Sequence, residues 1–359
     1  MKLVRILVSN TALPSTKIGS WTTRMSYFIK RNPNFFNYIL APGKDLSVSL
    51  YCKKRSFITW KKPLRRIQLL YWVAKDYVKQ LKILSKKYDK LIIVVMDDPH
   101  IVEAISLIKN RLNSEVEFIF SFHGFQLRLE PIVVTSLDKI LWLSQKGLEK
   151  SRATYSSFPK SYVVGNAVNS AVFFPLEYSD FVSERVKKGY RESDEILIWM
   201  ANDRPKKGIH IFKDVVEKLL QQHANLKIII IGSTQKIHHP NVSSIGRIPN
   251  NEVANYLQIG NYYMFTTLYE EGFGLSVVEA AKCGNIVFAS NRGAVSEVLK
   301  DINHSYLIDN PEAIHLWIES FNLARINNNY NRKRITKDST VDIWNYKDWE
   351  TRFQIAVDA

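Results

Sequence analysis

Short apolar runs alternate with longer amphipathic stretches along most of this 359-residue chain. Runs such as Leu91–Met96 and Ile228–Ile231 are almost entirely aliphatic, which is typical of strands buried on both faces of a parallel sheet. Stretches with helical periodicity, for example residues 209–222, follow these runs. Because parallel strands need crossover connections, the pattern predicts an α/β fold with parallel sheets.

The alternation forms two series. In the first, we predict strands at 3–8, 91–96, 117–122 and 139–143 and helices near 22–30 and 100–112. In the second, we predict strands at 196–200, 226–231, 262–266 and 286–290 and helices near 209–222, 251–258 and 275–282. Between residues 167 and 194 the chain is loop-like and then polar and charged. We therefore predict two Rossmann-like domains, residues 1–168 and 169–344, with a C-terminal helix near 345–359 that packs back on the first.

Composition excludes several classes of protein. Hydrophobic residues make up 46% of the chain and charged residues 23%, as in folded globular proteins. The two cysteines, Cys52 and Cys283, are too few for a disulfide framework or a cysteine-rich zinc module. No apolar run approaches the roughly 18 residues of a membrane span. The start of the chain, MKLVRILVSN, is interpreted as a first strand rather than a signal peptide, so we expect a cytoplasmic protein.

The chain is strongly basic, with 50 Lys and Arg against 34 Asp and Glu and a formal net charge of +16. Most of the excess lies between Lys53 and Lys90, a stretch with thirteen basic and two acidic residues. Such a field attracts polyanions, which include nucleic acid, an anionic membrane surface and phosphorylated substrates. Composition alone does not choose among them.

Residues 266–279, TTLYEEGFGLSVVE, join a predicted strand to a predicted helix. Gly272 and Gly274 let the backbone approach a ligand closely, and the amides at the helix start suit a phosphate. Glu279 lies about one turn into the helix and can bind a ribose diol, while Glu271 can reach a second polyol. Two carboxylates around an anion-binding helix start indicate a sugar nucleotide. The alternative is an acid that stabilises the helix dipole beside an ordinary glycine loop.

The sequence EGFGLSVVEAAKCGNIVFASNRGAVSEV, residues 271–298, resembles the donor-site signature of retaining GT-B glycosyltransferases of the family 4 type. The two glutamates of that family's E-x7-E motif fall on Glu271 and Glu279. Four further segments resemble elements of that family. SYVVGNAVNSAVFFP at 161–175 resembles its interdomain segment, and RPKKG at 204–208 resembles its KG loop. IGRI at 245–248 resembles its base-proximal segment, and FHG at 122–124 resembles its His-Gly element. The resemblance is close over the second half of the chain and looser over the first.

The resemblance implies a GT-B architecture, in which two Rossmann-like domains with parallel sheets face each other across a cleft. It implies that Glu279 holds the ribose of a nucleotide sugar, that Glu271 holds the transferred sugar, and that Lys207 neutralises the diphosphate leaving group. The amides expected to contact the diphosphate or the sugar belong to Phe273, Gly274, Leu275 and Ser276. Retention would come from acceptor attack on the face that the diphosphate leaves, without an assigned protein nucleophile.

Two positions depart from the family pattern. The family's arginine, five residues before the KG-loop lysine, falls on Asn202, so Arg204 or Lys206 would supply that charge to the donor, and we favour Arg204. The family's glycine pair after the first strand is reduced to Gly19, which we still place at the donor. Arg247, in the base-proximal segment, is also expected to contact the donor. The alternative for the basic residues is a solvated turn.

The first domain is expected to supply the remaining site residues. His123 follows a predicted strand and precedes Gly124, where the family has a histidine near the sugar, so we assign it to the catalytic site. Asp97 and Asp98 follow another strand, and one of them is expected to be the N-cap of the next helix. The acceptor is expected to contact Trp21, Arg24 and Asp98.

We predict no metal requirement and no other cofactor, since the nucleotide sugar is itself a substrate. The chain has no Asp-x-Asp motif of the kind GT-A enzymes use, and the adjacent pair His238 and His239 does not present two ligands on one face of a regular element.

The basic stretch contains a predicted amphipathic helix at 64–84. One side carries the apolar residues Leu64, Ile67, Tyr71, Ala74, Val78 and Leu81, and another carries Lys75, Lys79, Lys82 and Lys86. With Phe57, Trp60 and Trp72 nearby, this stretch is expected to lie on an anionic membrane surface, on the inner face of the cytoplasmic membrane. The alternative is a core-facing helix with a solvated basic face.

We therefore predict a retaining glycosyltransferase that moves a sugar from a UDP-sugar, or second a GDP-sugar, to a glycan or lipid-linked glycan. Such transfer would serve synthesis of cell-surface polysaccharide, lipopolysaccharide or glycolipid. One alternative is a nucleic-acid-binding protein that uses the basic stretch, although we find no recognition motif and predict no nucleic-acid partner. Another is a GT-B epimerase or phosphorylase. The sequence does not reveal the sugar, the linkage or the oligomeric state.

Overall fold

The chain forms two compact units in a computed structural model that describes residues 2–14, 20–43, 46–58, 62–326, 337–340 and 342–359. Unit 1 comprises residues 1–165 and 350–359, and unit 2 comprises residues 166–349. We predicted the division after residue 168 and the start of the returning segment at 345. In the structure these boundaries lie at 165 and 350.

Unit 1 is built on a parallel sheet with the strand order β3-β2-β1-β4-β5-β6-β7. Its strands are β1 Leu3–Val8, β2 Tyr38–Ala41, β3 Ser49–Tyr51, β4 Lys90–Met96, β5 Glu115–Ser121, β6 Lys139–Trp142 and β7 Lys160–Val163. Its helices are α1 Ser20–Arg31, α2 Lys62–Gln68, α3 Lys75–Leu84, α4 Pro99–Ser106, α5 Pro131–Val134 and α6 Gln145–Arg152, with a π-helical turn at Leu69–Val73 and a 3-10 turn at Lys109–Arg111.

Unit 2 is built on a second parallel sheet with the strand order β10-β9-β8-β11-β12-β13. Its strands are β8 Glu195–Met200, β9 Leu226–Ile231, β10 Val242–Gly246, β11 Tyr262–Phe265, β12 Ile286–Ser290 and β13 Ser305–Ile308. Its helices are α7 Tyr178–Lys187, α8 Ile209–Gln222, α9 Asn250–Leu257, α10 Leu275–Lys282, α11 Val295–Val298, α12 Ile314–Ile326 and α13 Lys337–Thr340, with a 3-10 turn at Pro205–Lys207. A last helix, α14 Tyr346–Asp358, begins in unit 2 and ends in unit 1.

The predicted fold class is confirmed, since both sheets are parallel and the helices cross over between strands. The central strands are buried along nearly their whole length, as in β4, where residues 91–96 are all buried. Helices cover the sheets with one apolar stripe each. In α8, for example, the buried residues are Ile209, Ile211, Phe212, Val215, Val216 and Leu219. The apolar runs therefore form the sheet cores, and helix amphipathicity supplies the covering layers.

Each sheet has one point at which the strand order reverses. In unit 1 the chain moves outward from β1 to β3 and then returns to lay β4 on the other side of β1. In unit 2 it moves from β8 to β10 and returns to lay β11 beside β8. Loops that leave two such neighbouring strands diverge, which opens a crevice at the carboxyl ends of the strands. Residues that follow β1, β4, β8 and β11 are thus placed where ligands bind in such sheets.

The prediction of one continuous helix at 64–84 is wrong. Helix α2 ends at Gln68, a π-helical turn follows, and α3 begins after Ala74, which has φ −109° and ψ 17°. A π-helical turn adds a residue, which rotates the next helix by about 100° relative to a continuous α-helix. Consequently the predicted apolar side does not remain on one face: Ile67 and Tyr71 are exposed, whereas Leu81 is buried.

Other element boundaries also differ from the predictions. The helix predicted over 100–112 ends at Ser106, and a 3-10 turn follows at Lys109–Arg111. The polar segment before residue 194 contains helix α7, whose Phe181 and Arg185 are buried. The short strands β2, β3, β7, β10 and β13 were not predicted. Most lie toward the sheet edges, where half-buried residues give a weaker apolar signal.

The end of α14 packs within unit 1. The Phe353 ring meets the Phe28 ring edge-on, with 5.2 Å between centroids. The buried Lys139 ammonium donates a hydrogen bond to the carbonyl oxygen of Val357 at 3.0 Å. In the part of the chain that the structure describes, no helix combines the length and the apolar character needed to cross a bilayer.

Candidate functional site

Two charged side chains that were predicted as catalytic meet at the reversal point of the unit 2 sheet. Lys207 lies in the 3-10 turn that follows β8, and Glu271 lies in the loop that follows β11. The Lys207 ammonium is 2.5 Å from the Glu271 carboxylate. Both side chains are partly exposed, Lys207 by 21% and Glu271 by 15%. The pair is therefore fixed in position and still reachable by a ligand.

Backbone contacts tie the lysine turn to the end of β11. The amide of Leu268 donates to the carbonyl oxygen of Lys206 at 2.8 Å, and the Thr266 hydroxyl donates to the carbonyl oxygen of Gly208 at 2.9 Å. Gly208 has φ 72°, and a Cβ there would lie 1.9 Å from the carbonyl oxygen of Thr266. Only glycine fits this approach, so the close packing of the two loops sets the distance between Lys207 and Glu271.

Thr267 is a site residue that sequence reasoning missed. Its hydroxyl donates to the same Glu271 oxygen that binds Lys207, at 3.0 Å, and its side chain is 1% exposed. The backbone of Glu271 is held as well, because its carbonyl oxygen accepts from the amide of Ala294 at 2.9 Å. The only sequence signal was the pair of threonines directly after a buried strand. Thr267 and Lys207 together orient the carboxylate.

The loop after Glu271 leads into α10 through Gly274, which has φ 82°. Leu275 and Ser276 are the first residues of α10 and are half-buried. Helix starts leave backbone amides without intrahelical acceptors, so Gly274, Leu275 and Ser276 offer donors at this edge. The predicted helix start is thus present. The side chain of Phe273, by contrast, is 3% exposed and packs edge-on against Trp344 with 4.8 Å between ring centroids.

Glu279 lies one turn into α10 and is 8% exposed. In the described part of the chain its carboxylate has no hydrogen-bond partner. Burial raises the pKa of Glu279 to about 8, because a desolvated carboxylate prefers the neutral form. A buried acid without a partner destabilises the folded protein, so Glu279 is a candidate binding residue.

The other predicted donor contacts lie at the rim of unit 2. Arg204, Lys206 and Arg247 are exposed. The Lys206 ammonium lies 3.8 Å from the centre of the Tyr269 ring, and the amide of Arg204 donates to the side chain of Asn202 at 3.2 Å. Both residues therefore lie on the same turn, with Arg204 at its start and Lys206 within it.

Asp203, which was not predicted, joins two loops at this rim. Its carboxylate accepts hydrogen bonds from the Ser233 hydroxyl and from the amide and hydroxyl of Thr234, the last two at 3.0 and 2.8 Å. The bond from Ser233, followed by those from Thr234, lowers the pKa of Asp203 to about 2. Asp203 therefore remains ionised and anchors the loop after β9 to the loop after β8.

A second group of predicted residues gathers in unit 1 around His123. The guanidinium Nη2 of Arg24 lies 3.3 Å from the Nε2 of His123, and the Trp21 ring lies 5.8 Å from the His123 ring. The amide of His123 donates to the carboxylate of Asp97 at 3.0 Å. Trp21 and Arg24 belong to α1, whereas Asp97 and His123 follow β4 and β5. The predicted acceptor residues on α1 thus lie beside the predicted catalytic histidine.

The charge state of His123 follows from its neighbours. Burial lowers the pKa of His123 well below its usual range, and the Arg24 guanidinium lowers it further, so the ring is neutral at pH 7. A guanidinium can only donate, so Nε2 accepts and the proton is on Nδ1. Nδ1 lies 3.9 Å from the carboxylate of Asp97. Asp97 has φ 44°, and burial raises its pKa to about 6. A strained residue at a strand end is typical of functional sites.

Asp98 is the N-cap of α4, as expected for one of the two aspartates. Its Oδ1 accepts from the amides of His100 and Ile101 at 3.0 and 3.1 Å. Its Oδ2 accepts from the side-chain amide of Asn10 and from the Lys54 ammonium, both at 2.6 Å. The side chain is 1% exposed. These partners occupy both oxygens, so Asp98 acts here as a cap and an ion-pair partner, and Asp97 is the more accessible carboxylate.

Gly19, the predicted phosphate-contacting glycine, lies outside the described residues. Within the described ranges, no cluster of three or more His, Cys, Asp or Glu side chains is arranged to hold a metal ion.

Comparison with known proteins finds a family similarity within unit 2. Residues 180–338 match the family model described as Glycosyl transferases group 1. This part of the chain is therefore similar to glycosyl transferases of group 1. This segment includes Lys207, Glu271 and Glu279, the predicted centre of the donor site. The fold is that of GT-B glycosyltransferases, with two parallel-sheet Rossmann-like domains.

Two relatives and one solved structure illustrate the similarity. The chain is 24% identical over 192 residues to a phosphatidyl-myo-inositol mannosyltransferase of Propionibacterium freudenreichii, across 52% of this chain and 48% of the relative. It is 24% identical over 184 residues to the GPI3 subunit of a phosphatidylinositol N-acetylglucosaminyltransferase of Saccharomyces cerevisiae, across 48% of this chain and 40% of the relative. The Anabaena protein HepE, solved in complex with UDP-glucose, aligns with a TM-score of 0.70 and 14% identity over 99% of each chain. The matches therefore span half or less of these two relatives.

The buried acid Glu279 generates a prediction about stability. Because its pKa is raised in the folded state to about 8, folding is disfavoured increasingly as pH rises through the window from about 4.5 to 8. Glu279→Gln removes the ionisable group at nearly constant shape. The ligand-free variant should match wild type at about pH 4 and become more stable by up to about 1.4 kcal/mol per pH unit toward pH 8. Urea unfolding across this pH range measures the difference.

Glu312→Gln, on an exposed glutamate of the same unit, is the control and should give a pH-independent difference. A Glu279→Gln variant that gains no stability at pH 8 would contradict a buried, partnerless carboxyl group.

Proposed function

We propose that this protein is a retaining, metal-independent glycosyltransferase that moves a sugar from a UDP-sugar to a lipid-linked or glycan acceptor. The observation that carries the proposal is the Lys207 and Glu271 pair beside the start of α10. A cation, a partly exposed carboxylate and a set of unpaired helix-start amides at one strand edge suit a ligand that has both a diphosphate and a polyol.

On this proposal unit 2 binds the donor. The diphosphate lies on the amides of Gly274, Leu275 and Ser276, and the buried carboxyl group of Glu279 receives the ribose hydroxyls. Glu271 accepts hydrogen bonds from hydroxyls of the transferred sugar. Departure of the diphosphate builds negative charge on its bridging oxygen, and the Lys207 ammonium stabilises that charge. Because Glu271, itself held by Thr267, already orients Lys207, little reorganisation is needed when the bond breaks.

Unit 1 supplies the acceptor side of the reaction in this proposal. The neutral His123, with its proton on Nδ1, and the carboxylate of Asp97 are groups that can hydrogen-bond a sugar or acceptor hydroxyl. Arg24 and Trp21 add a cation and an aromatic face. Retention of configuration rests on the motif resemblance alone: the acceptor oxygen bonds to the anomeric carbon on the face that the diphosphate leaves.

The names of similar proteins support the choice of substrates. Two relatives are named as transferases acting on phosphatidylinositol, which favours a lipid-linked acceptor, and HepE was solved with UDP-glucose, which favours a UDP-sugar. The mannosyl and N-acetylglucosaminyl groups in the relatives' names differ from each other, so the sugar is left open.

The first test is a thermal-shift and donor-hydrolysis screen with UDP-, GDP- and ADP-sugars, followed by Lys207→Met. A donor that binds only the folded protein must raise the unfolding midpoint. Lys207→Met should lower kcat at saturating donor by about 100-fold or more, because the lost charge acts mainly in the transition state. Unfolding midpoints should change little, since Lys207 is partly exposed.

Lys218→Met, on an exposed lysine of α8, is the matched control and should retain wild-type turnover. Near-normal turnover by Lys207→Met at saturating donor would refute the leaving-group role. Arg204→Ala and Lys206→Ala, measured in parallel, identify which residue replaces the family's arginine.

A further expectation concerns divalent cations. If lysine and helix-start amides neutralise the diphosphate, turnover should persist after exhaustive treatment with EDTA. Loss of turnover that magnesium or manganese restores would contradict metal independence.

The basic stretch of unit 1 is only partly available to a partner. Four of its basic side chains form ion pairs within unit 1, namely Lys54 with Asp98, Arg55 with Asp76, Arg65 with Glu103 and Lys90 with Glu115. Among the residues of the stretch whose side chains the structure describes, the exposed basic ones are Lys53, Arg66, Lys75, Lys79, Lys82, Lys86 and Lys87. A concentrated positive surface therefore remains, chiefly on α3.

The exposed apolar residues near this surface agree only in part with those predicted. Ile58, Ile67 and Tyr71 are 71%, 56% and 69% exposed. Trp72 is 42% exposed and donates a hydrogen bond to the carbonyl oxygen of Ser56, whereas Phe57 packs against His100 and under Arg65. Trp60 lies outside the described residues. Because the π-helical turn rotates α2 relative to α3, apolar and basic groups are exposed on successive elements of one segment.

We propose that this surface binds an anionic membrane, on the inner face of the cytoplasmic membrane. The exposed lysines supply attraction of roughly 1 kcal/mol each near the bilayer, and Ile58, Ile67 and Tyr71 supply apolar groups for shallow insertion. The protein would then meet a lipid-linked acceptor at the membrane that contains this lipid.

Replacement of Lys75, Lys79, Lys82 and Lys86 by Gln should release the protein from anionic vesicles and leave donor hydrolysis unchanged. Binding by wild type should weaken as salt rises, because the Debye length shortens. Vesicle co-sedimentation at low and high salt measures both effects. The control replaces Lys213, Lys218, Lys236 and Lys300 of unit 2 by Gln, with the same change in net charge. Equal release by both variants, or no binding of wild type at low salt, would contradict a specific membrane surface.

A further inference from the structure

A buried lysine lies in the proposed donor helix one turn after Glu279. Lys282 is 0% exposed, and its ammonium donates hydrogen bonds to the carbonyl oxygens of Thr340 and Ile343 at 2.9 and 2.8 Å. Desolvation lowers the pKa of Lys282 to about 8. Burying a cation is costly unless it gains such partners, so these bonds fix a distant stretch of chain against α10.

The same stretch contains a tryptophan in an unfavourable backbone conformation. Trp344 has φ 44°, in the left-handed region that bulky residues rarely adopt. Its surroundings hold it there: its indole Nε1 donates to the carbonyl oxygen of Val298 at 3.0 Å, and its own carbonyl oxygen accepts from the amide of Val168 at 2.9 Å. Backbone strain of this kind persists where neighbouring contacts impose it, and it is concentrated at functional sites.

The Trp344 ring contacts the loop that precedes α10. Phe273 packs edge-on against it, with 4.8 Å between centroids and an interplanar angle of 82°. Phe273 is the only residue between Gly272 and Gly274, so its side chain is the one anchor inside a segment with high backbone freedom. A loop of this composition loses considerable entropy when it is ordered, and the contact with Trp344 orders it before any ligand arrives.

We infer that Thr340 and residues 342–344 hold the donor loop in its binding conformation, with Lys282 and Trp344 as positioning residues. Lys282 secures the segment to α10, and Trp344 transmits that restraint to Phe273 and to the amides around it. The inference rests on the proposed function, because it assumes that this loop binds the diphosphate of the donor. It assigns a role in donor affinity to residues that touch no substrate.

The test measures binding of UDP, with GDP and ADP in parallel, by isothermal titration calorimetry. Trp344→Leu should weaken the nucleotide that wild type binds best by about tenfold, which corresponds to about 1.4 kcal/mol. Trp344→Phe keeps a ring against Phe273 and should lose only about threefold. Lys282→Met, which removes both hydrogen bonds at similar length, should weaken binding in the same direction. The KM for the donor should rise more than kcat falls.

The chain offers a matched control in Trp317. This tryptophan is fully buried in unit 2, whereas Trp344 is half-buried. Its indole likewise donates to a backbone carbonyl oxygen, that of Pro311 at 2.9 Å, but it packs in the core formed with Phe321 and Phe288. Trp317→Phe should lower the unfolding midpoint and leave nucleotide affinity unchanged. If Trp344→Leu does not fold, the comparison of Trp344→Phe with Trp317→Phe decides.

Two results would overturn the inference: unchanged affinity in folded Trp344 variants, or an equal loss of affinity in Trp317→Phe, which would indicate general destabilisation. Failure of wild type to bind any of the three nucleotides would be a different result. It would remove the donor-site proposal itself, and the positioning role with it. Measuring wild type first keeps the two failures distinguishable.

Discussion

Every strand pair described in the two sheets is parallel, so the carboxyl ends of all strands open on one edge of each sheet. That constraint decides where chemistry can be placed. Lys207 and Glu271 are 64 residues apart in the chain, yet β8 and β11 are neighbours, and the loops that leave them bring the two charges into contact. In unit 1 the same arrangement brings Asp97 and His123 together after the neighbouring strands β4 and β5.

The polar groups at these edges are held by one another. Thr267 and Lys207 share one Glu271 oxygen, Asp203 links two loops, and Arg24 determines the tautomer of His123. Glu279 differs, because it is buried without such a partner in the described residues. The mutually bonded residues thus stabilise one another, whereas the buried Glu279 lowers the stability of the folded protein. Residues that serve function commonly lower stability in this way.

Much of this arrangement could be predicted from the sequence. Long apolar runs indicated the central strands. The spacing of two glutamates around a glycine loop indicated the candidate site after β11, and its role in donor binding stays a prediction. Contacts between distant segments could not be predicted, since no local pattern encodes them: Thr267 looks like any strand-end threonine, and Trp344 lies 71 residues from Phe273. The basic helix was mispredicted for a related reason. Periodicity assumes a continuous helix, and the π-helical turn at Leu69–Val73 breaks that assumption without a distinctive residue.

The crowded turn at Gly208 has a consequence for how this sequence can vary. Gly208 and Gly246 have nearly the same φ, 72° and 73°, but a Cβ at 246 would meet nothing within 4 Å, whereas one at 208 would enter the Thr266 carbonyl. Asparagine, which tolerates left-handed backbone, is therefore an acceptable replacement at 246 and not at 208. A saturation library should therefore tolerate substitutions at position 246 and reject them at position 208. Small polar residues should be recovered at position 246. Glycine alone should be recovered at position 208, as long as the turn that carries Lys207 keeps its conformation.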